Sequence, residues 1–164
     1  DEDGPAATSL QPAAGLAAVV VISDAPLATR TARRLLPEVV PHADAAFTAG
    51  RAGLLAAGVA LGRHDLIAAG LHDRLHEPYR VSAVPDLGAV GAALISAGAL
   101  GAALSGAGPT VIGLVGGDTE PEALAAAEAV AHRASASIGS TSGRREPLAL
   151  PVDVRGAQVI VDCC

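Results

Sequence analysis

Ser105-Gly106-Ala107-Gly108-Pro109 joins two apolar runs. Its glycines allow φ > 0 and let a ligand or another segment come close to the backbone. Successive N–H groups in such a bend form a concavity suited to phosphate or carboxylate oxygens, and Pro109 fixes φ at the exit. Two familiar glycine signatures do not apply. A Walker loop ends in Lys followed by Ser or Thr, and this chain contains no lysine. A dinucleotide fingerprint opens a helix, whereas Gly106-x-Gly108 runs into Pro-Thr-Val-Ile, which is strand material. Taken alone, a glycine bend between strands is a hairpin turn.

Arg33 and Arg80 are the cations best placed to grip a ligand. Arg33 stands on a short helix just after the first strand, and Arg80 follows a proline. A rigid, partly buried guanidinium fork holds a carboxylate bidentately, although two unrelated surface arginines are the commoner meaning of such a pair. His72-Asp73-Arg74-Leu75-His76 has two histidines at i and i+4, the spacing of a helical zinc site. No third ligand is signalled and Pro78 follows at once, so a solvated helix face is the better account and no metal ligand is assigned. Ser105 has no Gly-x-Ser-x-Gly elbow and no neighbouring acid or histidine to activate it as a nucleophile.

The 164 residues are one domain's worth of chain. Half are apolar, yet there is one Phe, one Tyr, no Trp and no Met, so Ala, Val, Leu and Ile must fill the core. So few aromatic side chains argue against base stacking on single-stranded nucleic acid, and a net charge of −6 argues against affinity for a phosphate backbone or an anionic membrane. Gly, Ser, Asp, Arg or Pro interrupts every candidate apolar run before it reaches spanning length. Cys163 and Cys164 are adjacent, a poor geometry for a structural bridge, which favours free thiols in a reducing, cytoplasmic setting.

The elements that must position these groups follow from pattern. Leu16–Ser23 is a β-branched run suited to a buried strand. Thr29 stands as the N-cap of a short helix closed by Pro37. Helices are expected over Ala43–Leu61, over Asp65–Glu77 with Pro78 as its stop, and over Leu87–Ala97. A strand from Gly98 enters the glycine loop, and Val111–Val115 leaves it. Thr119-Glu120-Pro121-Glu122 has capping-box spacing and opens a helix to about Ala134. Ser135–Glu146 reads as loop, with strands over Leu148–Val154 and Ala157–Asp162 turning at Arg155-Gly156. The skeleton is βαββαβ: an α+β, ferredoxin-like split sandwich with extra helices, first and third strands adjacent and helices on one face.

Three stretches carry a family resemblance: Leu27-Ala28-Thr29-Arg30-Thr31-Ala32-Arg33-Arg34-Leu35-Leu36-Pro37, Asp73-Arg74-Leu75-His76-Glu77-Pro78-Tyr79-Arg80, and Gly101-Ala102-Ala103-Leu104-Ser105-Gly106-Ala107-Gly108-Pro109-Thr110. In order and spacing they resemble the C-terminal half of the homoserine kinases, within the GHMP small-molecule kinase superfamily. The resemblance implies transfer of the ATP γ-phosphate to the hydroxyl of L-homoserine, with Mg²⁺, in threonine biosynthesis. It sets Arg33 and Arg80 on the amino-acid substrate, Thr29 near the transferred phosphoryl group as the catalytic position, and Ser105, Gly106, Ala107, Gly108 and Pro109 as a glycine loop closing the site. Ala28 departs from the Ser or Asn usual before that threonine.

The superfamily's Gly-Leu-Gly-Ser-Ser-Ala phosphate loop does not occur in these residues, and the chain starts at Asp1 rather than Met. The expectation is therefore a linker over residues 1–16 and a GHMP kinase C-terminal domain over 17–164. ATP and Mg²⁺ would be held mainly by an N-terminal half, and this chain alone would be inactive. L-homoserine and ATP are the expected partners, with room for a homodimer and no role for nucleic acid or membrane. The alternatives are a non-catalytic ligand-sensing or assembly domain of the same fold, or another GHMP small-molecule kinase.

Overall fold

A computed structural model describes residues 9–138, 143 and 146–155. The expected strand over 157–162, its turn at Gly156, and Cys163-Cys164 lie outside the described residues, as does most of 139–145. Strands β1 (Leu16–Val21), β2 (Gly101–Leu104), β3 (Val111–Gly116) and β4 (Leu148–Pro151) form one antiparallel sheet in the order β2-β3-β1-β4. That is the split βαββαβ arrangement, with β1 and β3 paired from Leu16 opposite Gly116 to Val21 opposite Val111.

The alternation of side chains along each strand separates two faces. Ala17, Val19 and Val21 of β1 share one face with their partners Val115, Gly113 and Val111 of β3. Helices α5 (Leu87–Ser96) and α6 (Glu120–Ile138) pack there and close the main core with Val90, Leu94, Ala123, Ala127, Val130, Ala134 and Ile138. The buried positions of α6 recur with the period of a helix, and most are alanine. Small side chains bring the helix axis close to the sheet, which is how a chain nearly without aromatic residues reaches dense packing. The capping box at the start of α6 forms as expected: the Glu122 N–H donates to Thr119 Oγ1 and the Thr119 N–H donates to Glu122 Oε2.

Helices are not confined to that face. α2 (His42–Leu61) and α3 (His64–Gly70) make a tight pair over the opposite one. A Cβ on Gly70 would come within 2.6 Å of the Leu55 backbone nitrogen, and one on Gly58 within 2.7 Å of that of Ile67. The pair stands over β2 and β3, leaving a cavity of ≈ 360 Å³ whose walls include Leu55 of α2 and Ile112 and Leu114 of β3. A single-faced helical layer fails because residues 42–70 carry an apolar surface of their own, which can be buried only against the free side of the sheet.

The expected helix over Asp65–Glu77 is also corrected. It stops at Gly70, where α3 meets Leu55, and a four-residue helix α4 (Glu77–Arg80) begins afresh. Pro78 occupies the first turn of α4, where its missing N–H is harmless. The proline starts a helix instead of ending one. Arg80 consequently lies inside α4, and His72 and His76 share no helical face.

Smaller differences have local causes. Helix α1 spans Thr29–Arg34 with Ala28 at the N-cap, so Thr29 is the first helical residue and no side chain caps the end. β1 ends at Val21, before Ser23 takes the Ala25 N–H on its hydroxyl. β4 ends at Pro151, and the Arg155 N–H folds back on the Asp153 carboxylate. α6 runs through 135–138, where the Ser135 hydroxyl donates to the Ala131 carbonyl. No helix among the described residues is long and apolar enough to cross a membrane.

Candidate functional site

The segment from Asp73 to Arg80 is built on the Asp73 carboxylate. It accepts the backbone N–H groups of Leu75 (3.1 Å), His76 (2.7 Å) and Glu77 (2.8 Å), which turns the chain and satisfies donors at the start of α4. Burial pushes this carboxyl up, but the donations from Glu77, His76 and Leu75, with a smaller contribution from the His76 ring, outweigh it and hold the group below its ordinary value.

From this base two side chains reach the glycine loop. Glu77 Oε1 accepts the N–H of Leu104, the last residue of β2, at 2.6 Å. Leu104 lies on the outer edge of the sheet, so the carboxylate covers a donor that would otherwise invite strand pairing. Arg80, only 7 % exposed, donates from Nη1 to the Gly106 carbonyl at 3.0 Å, and the same Nη1 lies 3.4 Å from His76 Nδ1. Its Nε is buried with no hydrogen-bond partner among the described residues. A buried unpaired donor is uncommon and costs stability.

The loop holds its own shape. The Ser105 N–H donates to Thr110 O (2.9 Å) and the Gly108 N–H to Ser105 O (3.1 Å), while the Gly108–Pro109 peptide is cis. Gly106 and Gly108 take φ of +61° and +81°, which side chains rarely adopt. Their surroundings differ. Gly108 sits against Leu104 and the buried Val84, tying the loop to the core, whereas Gly106 has nothing within 4 Å of where a Cβ would stand.

Of the residues singled out in the sequence, the structure joins Arg80 to the loop Ser105–Pro109 directly. Thr29 and Arg33 lie one turn apart on α1 and are both exposed. The Arg33 side chain has no hydrogen-bond or ion-pair partner among the described residues, and no bond there links it to Arg80 or Gly106. His72, Asp73, His76 and Glu77 instead line the ≈ 360 Å³ cavity together with Thr48 and Arg51 of α2. The guanidiniums of Arg51, on the same helix, and Arg74 lie over the Phe47 ring at 4.7 and 3.9 Å from its centroid, and the Arg74 contact ties α2 to the 71–76 turn.

Asp73 and His76 enter the sequence reading through a metal spacing that assigns no ligand and, with Glu77, through the resemblance, so their part in this turn is what pattern reading misses. Their signal was present. An acid four residues ahead of a Glu-Pro pair matches a turn feeding a helix start as well as it matches a helix end.

Residues 49–136 match the family described as GHMP kinases C terminal. The homoserine kinase of Microchaete diplosiphon is 40 % identical over 139 residues, covering 85 % of this chain and 43 % of that protein. That of Streptomyces coelicolor is 42 % identical over 135 residues, covering 80 % and 43 %. The chain thus spans less than half the length of these relatives. The crystal structure of homoserine kinase from Cytophaga hutchinsonii superposes with a TM-score of 0.79 at 27 % identity, covering 93 % of this chain and 47 % of that one. Fold, glycine loop and sequence agree: the chain belongs to the GHMP kinases and carries their C-terminal domain.

Proposed function

We propose that this chain is the C-terminal part of an enzyme that phosphorylates the side-chain hydroxyl of L-homoserine with ATP. The hydroxyl oxygen attacks the γ-phosphorus, the bond from that phosphorus to the bridging oxygen of ADP breaks, and the hydroxyl proton is lost. Such a reaction depends chiefly on positioning and charge stabilisation. In this reading Arg80 and Arg33 grip the substrate carboxylate, Thr29 lies near the transferred group, and Ser105–Pro109 closes over the nucleotide.

The observation that carries the reading is the state of Arg80. Nη1 lies against the Gly106 carbonyl and His76, while Nε is buried with no partner among the described residues. Nη2 carries no bond among the described residues and is the donor a substrate carboxylate would meet, while Nε itself has no accessible surface. ATP fits the loop in one respect: the open space at Gly106 lets a phosphate approach its backbone. Mg²⁺ does not find a holder here. No group of three or more His, Cys, Asp or Glu among the described residues is placed to bind a metal, and Asp73 and Glu77 already accept backbone N–H groups. No step is assigned to it on these residues.

The test is ADP release by the whole protein that contains this chain, given ATP, magnesium and either L-homoserine or the related hydroxy amino acids L-serine and L-threonine. Turnover strongly favouring homoserine supports the reading. Equal turnover of all three, or none, rejects it.

A further inference from the structure

The imidazole of His76 lies between two groups of opposite charge. Its Nδ1 is 3.4 Å from Arg80 Nη1, and its Nε2 is 3.8 Å from Asp73 Oδ1. A guanidinium has donors and no acceptor, so Nδ1 must offer its lone pair and the ring proton must sit on Nε2, on the side of the carboxylate. The Asp73 carboxylate is itself fixed by its backbone donors from Leu75, His76 and Glu77. The other charged or titratable groups lining the same cavity are Glu77, tied to Leu104, His72 and Arg51.

We propose that His76 is a positioning residue for Arg80: an imidazole in the Nε2–H tautomer, its Nε2 on the side of the Asp73 carboxylate, that accepts Arg80 Nη1 on Nδ1. Arg80 Nη1 is then shared between His76 and the Gly106 carbonyl. That fixes one corner of the guanidinium plane, so Nη2, which carries no bond among the described residues, keeps one orientation towards the ligand. The chain Asp73, His76, Arg80, Gly106 couples a structural turn to the glycine loop. Its role in turnover rests on the assignment of Arg80 to the substrate carboxylate.

Two measurements test it on the whole protein. Long-range ¹H–¹⁵N correlation of the histidine rings at mildly alkaline pH should show His76 with a bare Nδ1 and a protonated Nε2, and Arg80→Ala should mix the tautomers. A protonated Nδ1 in the unmodified protein overturns the inference, whatever the activity. In kinetics, His76→Leu should raise the homoserine KM by about tenfold, the loss expected for one charge-assisted hydrogen bond, with the ATP KM unchanged. His76→Asn places an amide oxygen near the position of Nδ1 and should recover most of that loss. Failure of Asn to improve on Leu, or no effect of Leu, overturns the positioning role. Should Arg80→Ala raise the homoserine KM while His76→Leu does not, only this inference falls. Should Arg80→Ala leave that KM unchanged, the assignment of Arg80 falls and the positioning role with it.

Discussion

Glu77 Oε1 and the Leu104 N–H meet at 2.6 Å across 27 residues of sequence, joining the first residue of α4 to the last of β2. The glycine loop begins at the next residue, so this bond sets where the loop starts relative to Arg80. Glu77→Ala should therefore destabilise the protein by about 1–3 kcal/mol, the range for a hydrogen bond to a charged group whose partner loses its acceptor. Glu77→Gln keeps an oxygen in place and should lose less. Urea unfolding of both variants measures the difference, and an equal loss would move the effect from the hydrogen bond to packing.

Arg33 and Arg80 separate a binding role from a structural one, because one is exposed and the other buried. Arg33→Ala should leave the melting temperature unchanged and raise the homoserine KM roughly 10–100-fold in the whole enzyme, as loss of a charge-assisted contact does. Arg80→Ala should do the same to KM and also lower the melting temperature. Steady-state kinetics with each substrate varied decides it. A matching rise in the ATP KM would count against a carboxylate clamp.

Asp73 gives a pH dependence with a definite sign. Its pKa is lower in the folded protein than in the unfolded chain, so it contributes stability that is fully present above the unfolded value of about 3.9. The contribution is lost as pH falls from there through the folded value. Asp73→Asn removes that titration. The variant should be less stable than the parent at neutral pH, and the gap should narrow as the pH is lowered below about 4. Urea midpoints measured from neutral pH into that range follow it. A constant gap would show that the turn does not depend on the carboxylate charge.

Two glycines in the helix pair predict opposite signs. Gly50 in α2 has open space where an added methyl would stand, so Gly50→Ala should stabilise by up to about 1 kcal/mol through helix propensity. Gly70→Ala would drive a methyl to 2.6 Å from the Leu55 nitrogen, and backbone cannot yield as a flexible side chain does. A loss of at least ~1–3 kcal/mol is expected. Thermal melts of the two single variants compare them. Stabilisation by both would mean that α2 and α3 are not in the contact described.

Much of the fold was legible in the chain because it rests on local pattern. The β-branched run at Leu16–Val21, the capping box at Thr119–Glu122 and the glycine loop between β2 and β3 are each specified by neighbouring residues. The alternation of apolar runs with helical segments was enough to set the first strand beside the third.

What the sequence alone determined is therefore the split sandwich, the loop and the family. Tertiary structure decided where residues 70–80 bend and what Arg80 touches. Pro78 is compatible with a helix end or a helix start, and only the close packing of Gly70 on Leu55 and the Asp73 carboxylate's hold on three N–H groups choose between them. The Arg80–Gly106 contact spans 26 residues. Short-range periodicity carries no information at that separation, because the bond exists only after the sheet and α5 have brought the two segments together.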